Sequence, residues 1–117
     1  MTSNSLPDPA GFLPLSPRDF QVLLYIFDEP LHGYGIVQRS SDEGGEAVLD
    51  LGSLYRILDR MITKGLIEDV TEAQADPKRQ RRYYRATDSG RSVARAEAFR
   101  LRRLLESDQA KLLWEKS

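Results

Sequence analysis

The most constraining feature of this chain is the stretch from Asp50 to Gly65, whose apolar residues Leu51, Leu54, Leu58, Met61 and Ile62 fall at offsets 0, 3, 7, 10 and 11. That spacing predicts one helical stripe. Asp50 stands where an N-cap is needed and Gly65 where a left-handed C-cap is needed, so both ends of a helix over 51–64 are marked. Ser53, Arg56, Arg60, Thr63 and Lys64 fall largely on the opposite side. A helix so divided lies on a core with one face and presents a cationic polar face to something outside.

The segments on either side decide which kind of core this is. Ser16, Pro17 and Asp19 make an N-terminal signature with Asp in the place of the capping-box Glu, and Leu15 with Phe20 suits a hydrophobic staple. Phe20, Leu23, Leu24 and Phe27 follow the helical rule until Pro30, which predicts a first helix over 17–28. A second, shorter helix opens at His32-Gly33-Tyr34-Gly35 and ends before the acidic loop 42–46. Ala47-Val48-Leu49 has the composition of a very short strand. Residues 66–71 and 81–86 are β-branched or aromatic runs around a turn-rich stretch with Asp76-Pro77, which predicts a hairpin with a basic tip. Thr87 then caps a long helix, along which Ala94, Ala98, Leu101, Leu105 and Leu112 form a near-heptad seam interrupted at Asp108.

The expected fold class is α+β, mainly α: a winged helix-turn-helix over 15–86, a flexible lead-in over 1–14, and a C-terminal dimerisation helix over 87–117. Three helices followed by a two-stranded ribbon is the order in which the third helix enters the major groove and the hairpin touches backbone or minor groove. The charge distribution fits. The net charge is only −1, yet residues 1–76 carry −8 and residues 77–117 carry +7. A cationic C-terminal part implies an anionic partner. The recognition-helix candidates are therefore Ser53, Arg56, Arg60 and Lys64, and the wing candidates are Lys78, Arg79, Gln80, Arg81, Arg82 and Tyr83. Tyr83 and Tyr84 alternate, so one faces the core and the other solvent or DNA, according to register.

Other chemistries lack their residues. The chain has no cysteine, which excludes a disulfide framework and thiolate metal sites, and His32 has no second histidine or paired carboxylate beside it. A turn or capping role suits His32 better. Gly33 and Gly35 lack the lysine-bearing loop of a phosphate cradle. No nucleophile, base and orienting group stand at workable spacing, so no enzyme, cofactor or metal is expected. With no apolar run of about 18 residues and no signal-like N-terminus, a soluble cytoplasmic protein is the expectation. At 117 residues the chain buries only about 65% of its unfolded surface, so pairing with a second copy would add needed stability.

Leu15-Ser16-Pro17-Arg18, His32-Gly33-Tyr34-Gly35-Ile36, Gly52-Ser53-Leu54-Tyr55, Leu58-Asp59-Arg60-Met61, Lys64-Gly65-Leu66-Ile67 and the run from Arg82 to Arg91 occur in one order over residues 15–100. Together they resemble the signature of PadR-like transcriptional regulators. The resemblance implies a homodimeric repressor that recognises double-stranded DNA at an inverted repeat in a promoter. It also implies that Ser53 and Tyr55 meet DNA, although Tyr55 equally suits the rim of the core. Arg56 stands where many relatives have proline, so local contacts there differ. The chain resembles the short branch, whose last helix dimerises. Some short members hold planar drugs between tryptophans at the dimer interface, which makes Trp114, the one tryptophan, a candidate for a small-molecule effector. The alternative is a winged-helix protein-interaction module without specific DNA binding.

Overall fold

The computed structural model describes residues 6–42, 49–70 and 82–115. Helix α1 (Pro17–Tyr25) starts where Ser16 accepts a hydrogen bond from the Asp19 backbone N–H at 3.1 Å. It stops three residues before the expected end, and its buried face is Val22, Leu23 and Tyr25, continued by Ile26 at the C-cap. Leu24, expected on the inner stripe, is therefore half exposed. The early stop leaves room for a strand that the sequence reading did not foresee, β1 (Leu31–His32). Helix α2 (Gly33–Asp42) follows at once, and His32 caps it by accepting the Gly35 backbone N–H on Nδ1 at 2.9 Å.

Helix α3 (Leu51–Thr63) has the expected Asp50 cap, which accepts the Ser53 backbone N–H at 2.8 Å, and Gly65 has the left-handed φ of 78° that ends it. Strand β2 (Ile67–Asp69) pairs antiparallel with β3 (Tyr83–Ala86), with Ile67 opposite Ala86 and Asp69 opposite Tyr84. On its other edge β3 pairs with β1, Leu31 opposite Tyr84, so the sheet order is β1-β3-β2. Of the short strand suggested at 47–49, Ala47 and Val48 lie outside the described residues, and Leu49 is buried without strand pairing.

The C-terminal region is two helices where one was expected. Helix α4 (Asp88–Leu105) is capped by Thr87, whose Oγ1 accepts the Gly90 backbone N–H at 3.0 Å and donates to the Gly65 carbonyl at 2.7 Å. Helix α5 (Asp108–Glu115) begins anew because Ser107 offers its own cap, its Oγ accepting the Ala110 backbone N–H at 3.2 Å. Gly90 lets α4 lie directly on the chain entering β2. A Cβ there would stand 2.0 Å from the Leu66 carbonyl oxygen.

One core joins these elements. Leu23, Ile36, Leu54, Leu58, Ile67 and Tyr84 meet Val93 and Ala94 from α4, so the first half of α4 is built into the same core as the winged helix. The segment ahead of α1 is ordered there as well. Pro9–Phe12 forms a 3-10 helix rather than an aperiodic lead-in, and Phe12, Leu13 and Leu15 pack against the core. Glu97, only 1% exposed, fastens this segment. Its Oε2 accepts the Leu15 backbone N–H at 3.0 Å, and Arg100 donates to both of its oxygens.

Candidate nucleic-acid interface

Helix α3 buries Leu54, Ile57, Leu58 and Met61 and turns Tyr55, Arg56, Asp59, Arg60, Thr63 and Lys64 outward. The stripe is rotated slightly from the expected one: Leu51 is exposed, Ile62 is half-buried, and Ile57 takes an inner place. The cationic face is present as anticipated. Its three cations, Arg56, Arg60 and Lys64, are spaced four residues apart and so follow one line along the helix.

The candidate recognition residues have different local duties. Ser53 is half-buried, and its hydroxyl donates to Asp50 Oδ2 at 3.0 Å. The backbone N–H and hydroxyl of Ser53, joined by the charge of Arg56, hold the Asp50 carboxyl below its ordinary range. Tyr55 lies across the start of α2: a Cβ on Gly33 would come within 2.9 Å of its hydroxyl. Its ring thus sets the spacing of α2 and α3 while 42% of the residue stays exposed. Arg60 is engaged by Asp19 of α1, to which its Nη2 donates. The sequence shows Asp19 only as a capping acid of the first helix, because its partner Arg60 is 41 residues away.

In the wing, Lys78, Arg79, Gln80 and Arg81 lie outside the described residues. Arg82 is at the base, donating from Nε to Asp69 Oδ2 at 2.9 Å, with its guanidinium 5.5 Å from the Tyr84 ring centre. Register settles the tyrosine pair. Tyr84 is 1% exposed in the core, where burial pushes its phenol pKa up, while Tyr83 faces outward with its ring edge-on to His32 at 5.5 Å. Arg85 crosses to Glu68 at 2.9 Å, bracing the ribbon.

The expected dimer seam divides. Ala94 is 2% exposed and occupied by the subunit's own core, so it cannot face a partner. Ala98 and Leu105 on α4 and Leu112 on α5 are exposed, and Leu101 is half-buried. Phe99, Leu104 and Leu113, which the heptad reading left out, are exposed beside them. Trp114 is exposed on α5 and takes no part in the hollow of about 410 Å³ that Phe99, Arg103, Leu104 and Ser107 help to line. Glu97 was also missed. Its signal was an acid in the four-residue series Val93, Glu97, Leu101.

Comparison with known proteins matches this architecture. The family model described as the transcriptional regulator PadR-like family matches residues 22–96. Among solved structures, a PadR family transcriptional regulator from Eggerthella lenta DSM 2243 is 26% identical with a TM-score of 0.68, the match covering 91% of this chain and 85% of that one. A PadR family transcription regulator from Clostridium difficile R20291 is 23% identical with a TM-score of 0.58, covering 74% of this chain and 92% of that one. Bacillus subtilis PadR, solved in complex with operator DNA, is 24% identical with a TM-score of 0.63, covering 71% of this chain and 47% of that one. No curated protein matches the chain by sequence. Among the described residues, no helix is long and apolar enough to cross a membrane.

Proposed function

Because the chain belongs to the PadR-like family of transcriptional regulators, we propose that this DNA-binding regulator acts as a homodimeric repressor that reads an inverted repeat in a promoter. The observation that carries the reading is the division of α3, whose inner face is spent on the core while Arg56, Arg60 and Lys64 line its outer face. A helix so placed offers donors to base edges and phosphates in a major groove. Ser53 and Tyr55 join the interface at its N-terminal end, and Lys78, Arg79, Gln80, Arg81, Arg82 and Tyr83 form the wing that meets the backbone alongside. The exposed apolar residues of α4 and α5 are the surface by which two copies pair. Two recognition helices in such a dimer stand about 34–36 Å apart, one turn of B-DNA. The setting is the cytoplasm.

Selection of bound sequences from a random duplex library at near-physiological salt tests this. The expected product is an inverted repeat bound at least about 10³-fold more tightly than a scrambled duplex. Recovery of no motif, with only salt-sensitive binding, would remove sequence-specific repression. No binding at all would favour a protein-interaction module.

A further inference from the structure

An ion pair on the outer face of α3 joins a nearly buried acid to a half-exposed base. The Asp19 side chain is 10% exposed and that of Arg60 47%. Arg60 Nη2 donates to Asp19 Oδ1, leaving Nε and Nη1 of a five-donor fork for other partners. If Arg60 swung fully away, it would strand a carboxylate with little water around it, which is a strongly unfavourable state. The guanidinium is therefore held by one arm. A planar fork fixed in this way has already lost most of its rotamer freedom before any ligand arrives, and its direction is set by α1 rather than by α3 alone.

We propose that Asp19 is a positioning residue for DNA recognition, orienting Arg60 so that its remaining donors meet a guanine edge in the major groove. This rests on the reading of α3 as the helix that enters the groove. The charge balance favours a base edge over a phosphate. The Asp19–Arg60 pair is neutral as a unit, so it releases few counterions and adds little to sequence-independent attraction; its value to binding is directional. Arg56 and Lys64, one turn to either side, supply net positive charge.

The sign of one substitution separates this role from a structural one. Asp19→Asn keeps the side-chain shape, frees the guanidinium and adds one net positive charge. With the duplex enriched from the random library and a scrambled duplex as probes, preference for the enriched site should fall about tenfold. Affinity for the scrambled duplex should stay equal or tighten, with its salt dependence steeper by about 0.9 in log–log slope. In an Arg60→Gln background, Asp19→Asn should cost no further preference. A parallel loss on both duplexes, tracking a lower melting temperature, would make Asp19 merely structural and overturn the proposal, as would an unchanged preference. Arg56→Ala is the control for the underlying reading. If it weakens DNA binding while Asp19→Asn leaves preference intact, only the positioning role fails; if Arg56→Ala changes neither affinity, α3 is not at the DNA and both readings fall.

Discussion

A single missing methyl group decides how closely α4 approaches the sheet. At Gly90 any side chain would collide with the Leu66 carbonyl, a backbone atom that cannot turn aside, so Gly90→Ala must push α4 off the strand entry. The expected cost is about 3 kcal/mol, at the upper end for overpacking, read as a lowered urea midpoint with little change in slope. Glu97 makes a prediction of a different kind. The hydrogen bonds it accepts from Arg100 outweigh burial, and with the one from the Leu15 N–H they hold its carboxyl below the ordinary 4.5. A carboxyl depressed in the folded state stabilises it fully above the unfolded value, and that contribution is lost as pH falls through the folded one. Glu97→Gln should therefore be less stable than the parent at pH 7, with the difference shrinking as the pH is lowered below the ordinary carboxyl range in paired denaturation curves. A gap that widens on acidification would reverse the assignment.

At the scale of elements, the parts visible in the sequence were those with local causes. Ser16, Asp50 and Thr87 cap the helices they were expected to cap, because a side-chain oxygen reaching a backbone N–H three residues on depends on little else. The family signature was legible for the same reason, being carried by short runs in order. What escaped was set at a distance. The two residues of β1 have no periodicity to betray them, and the pairings Asp19–Arg60 and Leu15–Glu97 join residues far apart in the chain. Ala94 was misassigned because a heptad-like spacing does not distinguish a partner's surface from the subunit's own core. The break before α5 lay between these cases. Asp108 was noticed as an interruption, yet the Ser-Asp pair at 107–108 is also a start signal. Ser107→Ala should remove about 1 kcal/mol of capping and speed amide exchange across residues 108–115 while α4 stays protected.

At the scale of the whole molecule, Phe99, Leu104 and Leu105 on the second half of α4 and Leu112 and Leu113 on α5 lie on the outside of a subunit whose core is already complete without them. Leu105→Glu should thus leave subunit folding intact yet shift the protein towards monomer in sedimentation velocity, with loss of affinity for an inverted repeat. A dimer of unchanged strength would remove Leu105 from the seam. The hydrogen bond from the Leu15 backbone N–H to the Glu97 carboxylate spans 82 residues of chain. During synthesis, when folding runs from the N-terminus as the polypeptide emerges, the segment before α1 waits for that carboxylate to leave the ribosome. Residues 9–15, though made early, are among the last to be seated. The core beneath α1 is therefore completed only once Glu97 of α4 has emerged, and a nascent chain stalled short of residue 97 leaves Leu15 without that tie.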